Sequence, residues 1–468
     1  MTRTTVIGLD GVPHWLLEEL AAEGVMPATR ELLGQGALRP LRAPVPDISS
    51  TSWVTFLTGA DPGRHGVYGF IDLEPGGYGT YFPRLPDVRA PLLWEHVPGD
   101  CAILNVPGTY PAPPVRGTLI SGFVAPDFDR AVHPPEERAP LRELGYRLDV
   151  DIDDPVGDPD GFMDEVEAAL AARRAAFRRH LERRPRLAVC VITETDRVHH
   201  FHWRSLRTPA SPLHDRILRF YRRVDEAIAE LAELAGDGAL MIVSDHGFGP
   251  ADAQFYLNAW LRREGYLALP ADAPDLRGID GTTRAFALDP GRIHFNHRDR
   301  FPGGRDLDRP ALKAELAARL TALRLGDGDA VTEGGPGRPL VGEVLDGAHL
   351  YAGPEAHRAP DLVVMPAHGV QVRGSWTQAE PITPGPLTGT HTRHDAAFWL
   401  RGDHGRGTVE MRDVAPTILA CLGVPPGPAM EGVPVTGVPA GRGPGGPGGG
   451  SALPGEPGVR ARRTAVTP

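Results

Sequence analysis

Short apolar runs alternate along this chain with longer stretches that have helical periodicity. The apolar runs are typical of buried strands and lie at residues 6–9, 102–105, 118–123, 188–193 and 239–244. The most regular helical stretches lie at residues 163–184 and 213–234. Because strands that alternate with helices build parallel sheets, this pattern predicts an α/β fold with a mostly parallel sheet covered by helices on both faces.

The alternation stops between residues 251 and 385, where Pro- and Gly-rich sequence separates two helix-like stretches. It returns with an apolar run at 396–401 and a helical stretch at 414–423. We therefore expect one domain over residues 1–436, with 251–385 as an insertion or cap within it. Residues 437–468 are rich in Gly and Pro and cannot build a core, so we expect them to form a disordered tail.

The chain has 468 residues and a formal net charge of −11. Nucleic acids and anionic membranes favour basic surfaces, so this charge argues against both as partners. No apolar run approaches the roughly 20 residues that a membrane helix needs, and the N-terminal sequence lacks the features of a secretory signal. An odd number of cysteines (Cys101, Cys190 and Cys421) favours reduced thiols in the core. We expect a soluble cytoplasmic protein, and the sequence leaves its oligomeric state open.

Acidic residues and histidines follow three of the apolar runs: Asp10, Asp196, His200, Asp245 and His246. Ligands of parallel sheets bind beyond the carboxyl ends of the strands, so we expect these side chains at one edge of the sheet. Asp196 and His200 are four residues apart and share a helix face, with His199 as an alternative partner. Asp245 and His246 can share an ion only if the chain bends after Ser244, which Gly247 permits. Carboxylate and neutral imidazole suit Zn²⁺ or a similar divalent ion.

Four consecutive hydroxyl residues precede a short helical stretch: Ser49, Ser50, Thr51 and Ser52. We expect the helix to run from Ser52 to Leu57 and to end at Gly59. Hydroxyl groups at that position meet free backbone N–H groups and the positive end of the helix dipole. The sequence therefore indicates a phosphate site at the start of this helix.

In their order along the chain, these segments resemble the alkaline phosphatase superfamily, specifically its type I phosphodiesterase/nucleotide pyrophosphatase branch. The resemblance covers roughly residues 4–435 and rests on VIGLDG, the segment 49–66, TETDRVHH, VSDHGFG and GTHTRHDAAFWL. It implies an alkaline-phosphatase-like three-layer α/β/α sandwich around a mostly parallel sheet, with a cap insertion. It also implies a metal-dependent phosphoester hydrolase.

The resemblance implies roles for individual residues. The nucleophile maps to Ser49. One metal site maps to Asp196, His200 and His391, and the second to Asp10, Ser49, Asp245 and His246. Three of these assignments keep an alternative, namely Ser50 or Thr51 for Ser49, His199 for His200, and His394 for His391. We assign His65 and Gly66 a structural role after the nucleophile helix.

Two divalent ions, Zn²⁺ with Mn²⁺ as the alternative, would place four positive charges against three carboxylates and the Ser49 alkoxide. Such ion pairs lie about 3.5–4 Å apart. The implied reaction is in-line phosphoryl transfer in two displacements, through a phosphoserine.

We expect a small-molecule phosphoester as substrate, and a phosphodiester or nucleotide pyrophosphate is favoured because no arginine lies within SSTSW. Residues of 251–385 are expected to contact the alcohol or nucleotide part. The alternatives are a phosphomonoesterase or phosphomutase of the same superfamily, or a non-catalytic module that binds metal and phosphate ligands. A sulfatase is disfavoured because neither the cysteines nor Ser49 lie in a C-x-P-x-R or S-x-P-x-R sequence.

Overall fold

The computed structural model describes residues 2–150, 153–270 and 272–435, so the tail predicted at 437–468 lies outside the described residues. The strands up to residue 243 are β1 (Thr4–Leu9), β2 (Leu38–Arg42), β3 (Asp72–Leu73), β4 (Thr80–Tyr81), β5 (Cys101–Val106), β6 (Gly117–Ser121), β7 (Val132–His133), β8 (Leu187–Ile192) and β9 (Ala239–Val243). The later strands are β10 (Gly247–Tyr256), β11 (Ala285–Leu288), β12 (Arg292–Phe295), β13 (Leu323–Leu325), β14 (Val331–Glu333), β15 (Arg338–Pro339), β16 (Val341–Asp346), β17 (Leu362–Pro366), β18 (Gly369–Arg373), β19 (Ile382–Thr383), β20 (Gly389–Thr392), β21 (Ala396–Leu400) and β22 (Val409–Glu410). The α-helices are α1 (His14–Ala22), α2 (Pro27–Leu33), α3 (Ser49–Thr58), α4 (Pro62–His65), α5 (Arg138–Glu143), α6 (Pro159–Leu181), α7 (Glu194–Leu206), α8 (His214–Ala235), α9 (Leu257–Arg263), α10 (Arg309–Ala322), α11 (Gly347–Leu350) and α12 (Val414–Cys421).

The main sheet has nine strands in the order β22-β2-β21-β9-β1-β8-β5-β6-β7. Its central strands β9, β1, β8, β5 and β6 are parallel to one another. Antiparallel pairing occurs towards the edges, where β21 pairs with β9 and with β2, and β7 pairs with β6. The prediction of a mostly parallel sheet is therefore confirmed.

Helices cover both faces of this sheet, because side chains of a strand alternate between its two sides. In β8, Cys190 and Ile192 pack into a hydrophobic cluster that includes α1, α2, α6, α7 and α8. Val189 and Val191 of the same strand pack into the opposite cluster, which includes α3 and α12. These two clusters make the molecule a three-layer α/β/α sandwich.

A third hydrophobic cluster has nearly all of its buried residues between 253 and 372. Small sheets surround it, with strand orders β18-β10-β19, β11-β12-β17-β16 and β14-β13-β15. The interpretation of 251–385 as an insertion within one domain stays a prediction.

The thiols of Cys101, Cys190 and Cys421 are free, and all three residues are buried. Desolvation raises the pKa of the Cys190 thiol above its ordinary value. Among the described residues, no helix is both long enough and apolar enough to cross a bilayer.

Candidate metal centre

Three acidic residues meet where the central strands end. Asp10 directly follows β1, Asp245 lies just beyond β9, and Asp196 lies in the first turn of α7, after β8. Because β9, β1 and β8 are parallel neighbours, their carboxyl ends lie side by side. All three carboxylates are at most 2% exposed. The structure therefore brings residues from distant parts of the sequence to one edge, as the sequence predicted.

One group of side chains contains Asp196, His200 and His391. The Nε2 atoms of both histidines lie 3.4 Å from Asp196 Oδ1. The two Nε2 atoms lie 3.0 Å from each other. Asp196 Oδ1 is buried, and no described residue forms a hydrogen bond with it. Three ligand atoms thus converge at the first predicted metal site.

The second group contains Asp10, Ser49, Asp245 and His246. His246 Nε2 lies 3.0 Å from Ser49 Oγ, 3.2 Å from Asp245 Oδ2 and 3.6 Å from Asp10 Oδ1. Ser49 Oγ donates to Asp10 Oδ1 at 3.3 Å. Asp245 Oδ2 is a second buried oxygen without a hydrogen-bond partner among residues 2–150, 153–270 and 272–435. The ring of His246 stacks on that of His391 with centroids 3.6 Å apart, so the two groups adjoin.

The three histidine rings have a common orientation. The Nδ1 atoms of His200, His246 and His391 lie 3.3, 3.1 and 2.9 Å from the backbone oxygens of Gly389, Gly247 and Asp47. A neutral imidazole that donates from Nδ1 to a carbonyl keeps the Nε2 lone pair free. Second-shell hydrogen bonds of this kind orient histidines that bind metals. With the proton on Nδ1, each Nε2 atom would offer a lone pair to an ion bound among the carboxylates.

The electrostatics of the two groups also fit a bound cation. Burial, with the nearby charges of Asp245 and Asp196, raises the pKa of Asp10 well above its ordinary value. Burial likewise raises the pKa of Asp245 to about 7. Burial opposes ionisation of Asp196 too, but His200 and His391 outweigh it and hold that pKa below its ordinary value. Divalent ions would supply the positive charge that keeps all three carboxylates ionised.

The position of Gly247 differs from the expected one. Asp245 and His246 do lie together at a bend, yet Gly247 already belongs to β10 and has no left-handed φ. A Cβ atom there would lie 2.1 Å from Asp395 Oδ1 and 2.6 Å from Thr392 Oγ1. A residue without a Cβ is needed at position 247 because the side chains of Asp395 and Thr392 come so close. The left-handed turn after Asp10 is made by Gly11, which has a φ of +66°.

The geometry favours His200 over its neighbour His199. His199 Nδ1 lies 2.8 Å from the oxygen of Gly11, and its Nε2 lies 2.5 Å from the hydroxyl of Tyr221. Gly11 N in turn donates to Asp245 Oδ1 at 3.0 Å. Tyr221 and His199 therefore support the turn that orients Asp245. Sequence reasoning missed Tyr221, since nothing in the pattern of α8 distinguishes it from a core residue.

The geometry also favours His391 over His394 as a metal ligand. His391 lies in β20, opposite Phe248 of β10, and faces the carboxylates. His394 follows the end of that strand and is exposed.

We expect His391→Ala to bind less divalent metal, as measured by elemental analysis, because one of three converging ligand atoms is lost. His394→Ala is the matched control and should keep its metal; equal losses in both variants would contradict the assignment of His391.

The helix with the hydroxyl run begins earlier than predicted. Helix α3 starts at Ser49, three residues before the expected start at Ser52, and ends at Gly59 in a left-handed conformation. The oxygen of Ile48 accepts from the N–H groups of Thr51 and Ser52, so those of Ser49 and Ser50 have no backbone partner among the described residues. Ser50 Oγ and Thr51 Oγ1 are buried and contact neither Asp10 nor His246 through hydrogen bonds. Of the three candidate nucleophiles, Ser49 is the one that meets both side chains.

Two further residues support this helix, His65, whose structural role was expected from the sequence, and Trp53, whose role was not. His65 is buried, with its Nε2 3.0 Å from Thr55 Oγ1 and its Nδ1 accepting from the backbone N–H of Val67. This contact agrees with the structural role assigned to His65. Trp53 donates from Nε1 to Asp10 Oδ2 at 3.0 Å, a bond that the sequence did not suggest. Trp53 thereby ties the helix to the carboxylate beside Ser49.

A cavity of about 290 Å³ is lined by His200, His391 and residues 46–48, which directly precede Ser49 in the chain. Its walls are mainly apolar and include Ile48, Phe70, Phe201, Val364 and Met365. Gln371 contributes a buried Oε1 atom without a hydrogen-bond partner. Residues from the 251–385 segment thus line the space next to the candidate nucleophile.

The chain matches the model of one protein family, described as type I phosphodiesterase/nucleotide pyrophosphatase, over residues 4–406. No curated protein is similar enough to count as a match.

Two solved structures are similar in fold. Phosphonoacetate hydrolase from Sinorhizobium meliloti 1021, in complex with phosphonoformate, is 17% identical with a TM-score of 0.59, and the match covers 90% of this chain and 96% of that one. Murine ectonucleotide pyrophosphatase/phosphodiesterase 5, as an inactive variant in complex with AMP, is 13% identical with a TM-score of 0.53, and the match covers 92% of this chain and 96% of that one.

Proposed function

The chain belongs to the type I phosphodiesterase/nucleotide pyrophosphatase family, a family of phosphoester hydrolases, and we propose that it is a two-metal phosphodiesterase that acts through a phosphoserine at Ser49. The observation that carries this proposal is the position of Ser49 Oγ, 3.0 Å from His246 Nε2 and 3.3 Å from Asp10 Oδ1, at the first residue of α3. A nucleophile needs a partner that accepts its proton or lowers its pKa, and a phosphate needs donors that point at it. Ser49 meets both requirements.

Two divalent ions fit the donor atoms described above. Asp196, His200 and His391 would hold one ion, and Asp10, Ser49, Asp245 and His246 would hold the other. We propose Zn²⁺, with Mn²⁺ as the alternative, because the imidazole nitrogens and carboxylate oxygens of the two sites are suitable ligands for these ions. When bound, the ions would supply Lewis-acid stabilisation of the charge that develops on the phosphoryl oxygens and on the attacking and leaving oxygens.

The chain's own residues then bind and orient the substrate. The unpaired N–H groups at the start of α3 point to where a phosphoryl oxygen would lie, and the helix dipole favours its negative charge. Ser49 Oγ gives up its proton and forms a bond to phosphorus as the bond to the leaving alcohol breaks, and the leaving alcohol takes up a proton. Water then cleaves the covalent bond between Ser49 and phosphorus, which restores the serine and releases the phosphomonoester of the remaining alcohol. Trp53, Tyr221 and His199 keep Asp10 and Asp245 in place.

The cavity beside Ser49 supports a phosphodiester over a dianionic monoester. Its two arginines each face a carboxylate, since Arg197 lies 2.7 Å from Asp149 and Arg373 lies 3.8 Å from Asp289. Little uncompensated positive charge is left for a second negative charge on the substrate. The apolar walls accept the alcohol or nucleoside part of a small molecule. The three buried free thiols support a cytoplasmic location, which is part of this proposal.

A substrate panel with added Zn²⁺ or Mn²⁺ tests the proposed function. We expect turnover of aryl phosphodiesters and nucleotides above that of aryl phosphomonoesters and sulfate esters, and a chelator should abolish it. Adding back the ion should restore activity. Turnover that survives chelation would contradict the proposal, and so would binding of phosphate ligands without turnover of any phosphoester. A preference for monoesters would show that the substrates are phosphomonoesters and not phosphodiesters.

A further inference from the structure

A second and larger cavity, of about 800 Å³, lies apart from the candidate metal centre. Its walls come from residues 68–76, 294–313 and 347–361, and none of the proposed metal ligands lines it. Cavities of this size are typical of sites for small molecules, which usually combine apolar walls with a few fixed polar groups. This cavity has aromatic walls from Tyr68, Phe301 and Tyr351, and two polar groups that are not fully satisfied, an imidazole without a hydrogen-bond partner and a guanidinium without an ion pair among the described residues.

The first unsatisfied group is His294. Its side chain lines the cavity, the residue is 2% exposed, and neither ring nitrogen has a hydrogen-bond partner in the part of the chain that the structure describes. The ring stacks on Phe286 with centroids 5.7 Å apart, which fixes its plane. Burial, with the charges of Arg300 and Arg292, lowers the pKa of His294 well below its ordinary value. A neutral imidazole in this position offers one donor and one acceptor to a ligand, and leaving both unpaired is costly.

The second group is the guanidinium of Arg300. It donates to the backbone oxygens of Ala359 and Arg358 at 2.7 and 2.5 Å, and these bonds hold it at the cavity wall. No carboxylate of the described residues forms an ion pair with it. Burial lowers the pKa of Arg300 despite the influence of Asp361. A guanidinium that is mostly removed from water and lacks a counter-ion is a ready partner for an anion.

The acids around the cavity leave Arg300 without an ion pair among the described residues. Asp72 pairs with the buried Arg292, and Asp361, whose charge acts on Arg300 from a distance, accepts from the backbone N–H of Phe295 through Oδ2 at 2.8 Å. The other two acids on the wall, Glu74 and Asp299, are exposed to solvent. Further cations, Arg309, Lys313 and Arg358, stand at the wall, although Lys313 pairs with Asp346 and Arg358 with Glu355.

We infer that this cavity binds a small organic oxyanion, a phosphate monoester or a carboxylate, through Arg300, with His294 hydrogen-bonded to the same ligand. Arg300 balances the negative charge. His294 donates a hydrogen bond to another oxygen of the same anion, and the aromatic walls contain the apolar surface of the organic part. The site is separate from the candidate metal centre, so its occupation does not depend on the proposed catalytic role of Ser49.

Calorimetric titration of the metal-loaded enzyme with inorganic phosphate and with succinate tests this inference. We expect His294→Phe and Arg300→Gln each to weaken a binding event by about tenfold or more, as the loss of a charge-assisted hydrogen bond implies. Turnover of phosphodiesters should stay unchanged in both variants. An effect confined to phosphate identifies a phosphate ligand, and one confined to succinate identifies a carboxylate ligand.

His294→Phe keeps a ring on Phe286 and removes no hydrogen bond that the structure shows, so it separates ligand binding from folding if Arg300→Gln proves unstable. Arg298→Gln is the matched control, because Arg298 pairs with Asp306 at 2.9 Å and does not line the cavity. Affinities for both anions that are the same in the wild type, in His294→Phe and in Arg298→Gln would overturn the proposal.

Discussion

Replacement of Ser49 by alanine is expected to lower phosphoester turnover by at least about a thousandfold, or about 4 kcal/mol in transition-state free energy. The expectation follows from the position of Ser49 Oγ between Asp10 Oδ1 and His246 Nε2. Without this oxygen no covalent intermediate forms. The fold should persist, and at least part of the bound metal should remain, since the other proposed ligands are intact. Steady-state kinetics with elemental analysis of the same preparation measures both effects.

Ser50→Ala is the matched control. Ser50 is adjacent in α3 and equally small, but its buried hydroxyl has no hydrogen-bond partner. We expect its kcat to remain close to that of the wild type. A thousandfold loss in Ser50→Ala together with an active Ser49→Ala would shift the nucleophile by one residue.

The second large effect is expected from Asp245. Elemental analysis should find about two divalent ions per chain in the wild type, as two-metal sites of this kind hold. Both Asp245→Ala and Asp245→Asn should lose one ion and most of the activity, because Asp245 Oδ2 is buried, unpartnered and 3.2 Å from His246 Nε2. Asn retains an oxygen that accepts from the N–H of Gly11, which currently donates to Asp245 Oδ1, so this variant removes the charge while keeping the turn.

Asp395→Asn provides the control for a nearby carboxylate. Asp395 Oδ2 accepts from Trp15 Nε1 at 2.9 Å and takes no part in either group of ligands. We expect its metal content to equal that of the wild type. Full occupancy in Asp245→Asn would show that Asp245 is not a ligand.

The sheet and its functional edge could be predicted from the sequence because both depend on local patterns. The apolar run before Asp10 forms β1, and those before Asp196 and Asp245 form β8 and β9. Parallel pairing of these strands then leaves little choice about where the three carboxylates meet. The antiparallel strands β21 and β2 on the far side of β9 were harder to foresee, because their pairing joins residues such as Leu38 and Trp399 across most of the chain.

The exact ligands depended on geometry that the sequence does not contain. His391 and His394 are three residues apart, and only the pairing of β20 with β10 decides which one faces the carboxylates. His199 and His200 are both close enough to Asp196 on a helix, and the contact of His199 with Tyr221 separates them. In the run from Ser49 to Ser52, each residue has a hydroxyl that suits an N-cap, so the first residue of α3 could not be identified from N-cap preference alone.

The individual residues of the cavity walls could not be predicted, although a contribution from 251–385 was expected. Ile48 and Val364 line one cavity although more than half of the chain separates them. Their proximity results from small sheets with long-range pairing, for which the Pro- and Gly-rich sequence gives no periodic signal. For the same reason, the sequence does not indicate that His294 and Arg300 line a second cavity.

Rapid acid quench during turnover of an aryl phosphodiester, followed by mapping of the phosphopeptide by mass spectrometry, tests the central claim most directly. We predict a covalent phosphoryl group, or the corresponding monoester, on Ser49. It should be absent from Ser49→Ala and from enzyme treated with a chelator. Modification of Ser50 or Thr51 would move the nucleophile. Turnover without any phosphoenzyme, together with an active Ser49→Ala, would contradict the account and indicate direct attack by water.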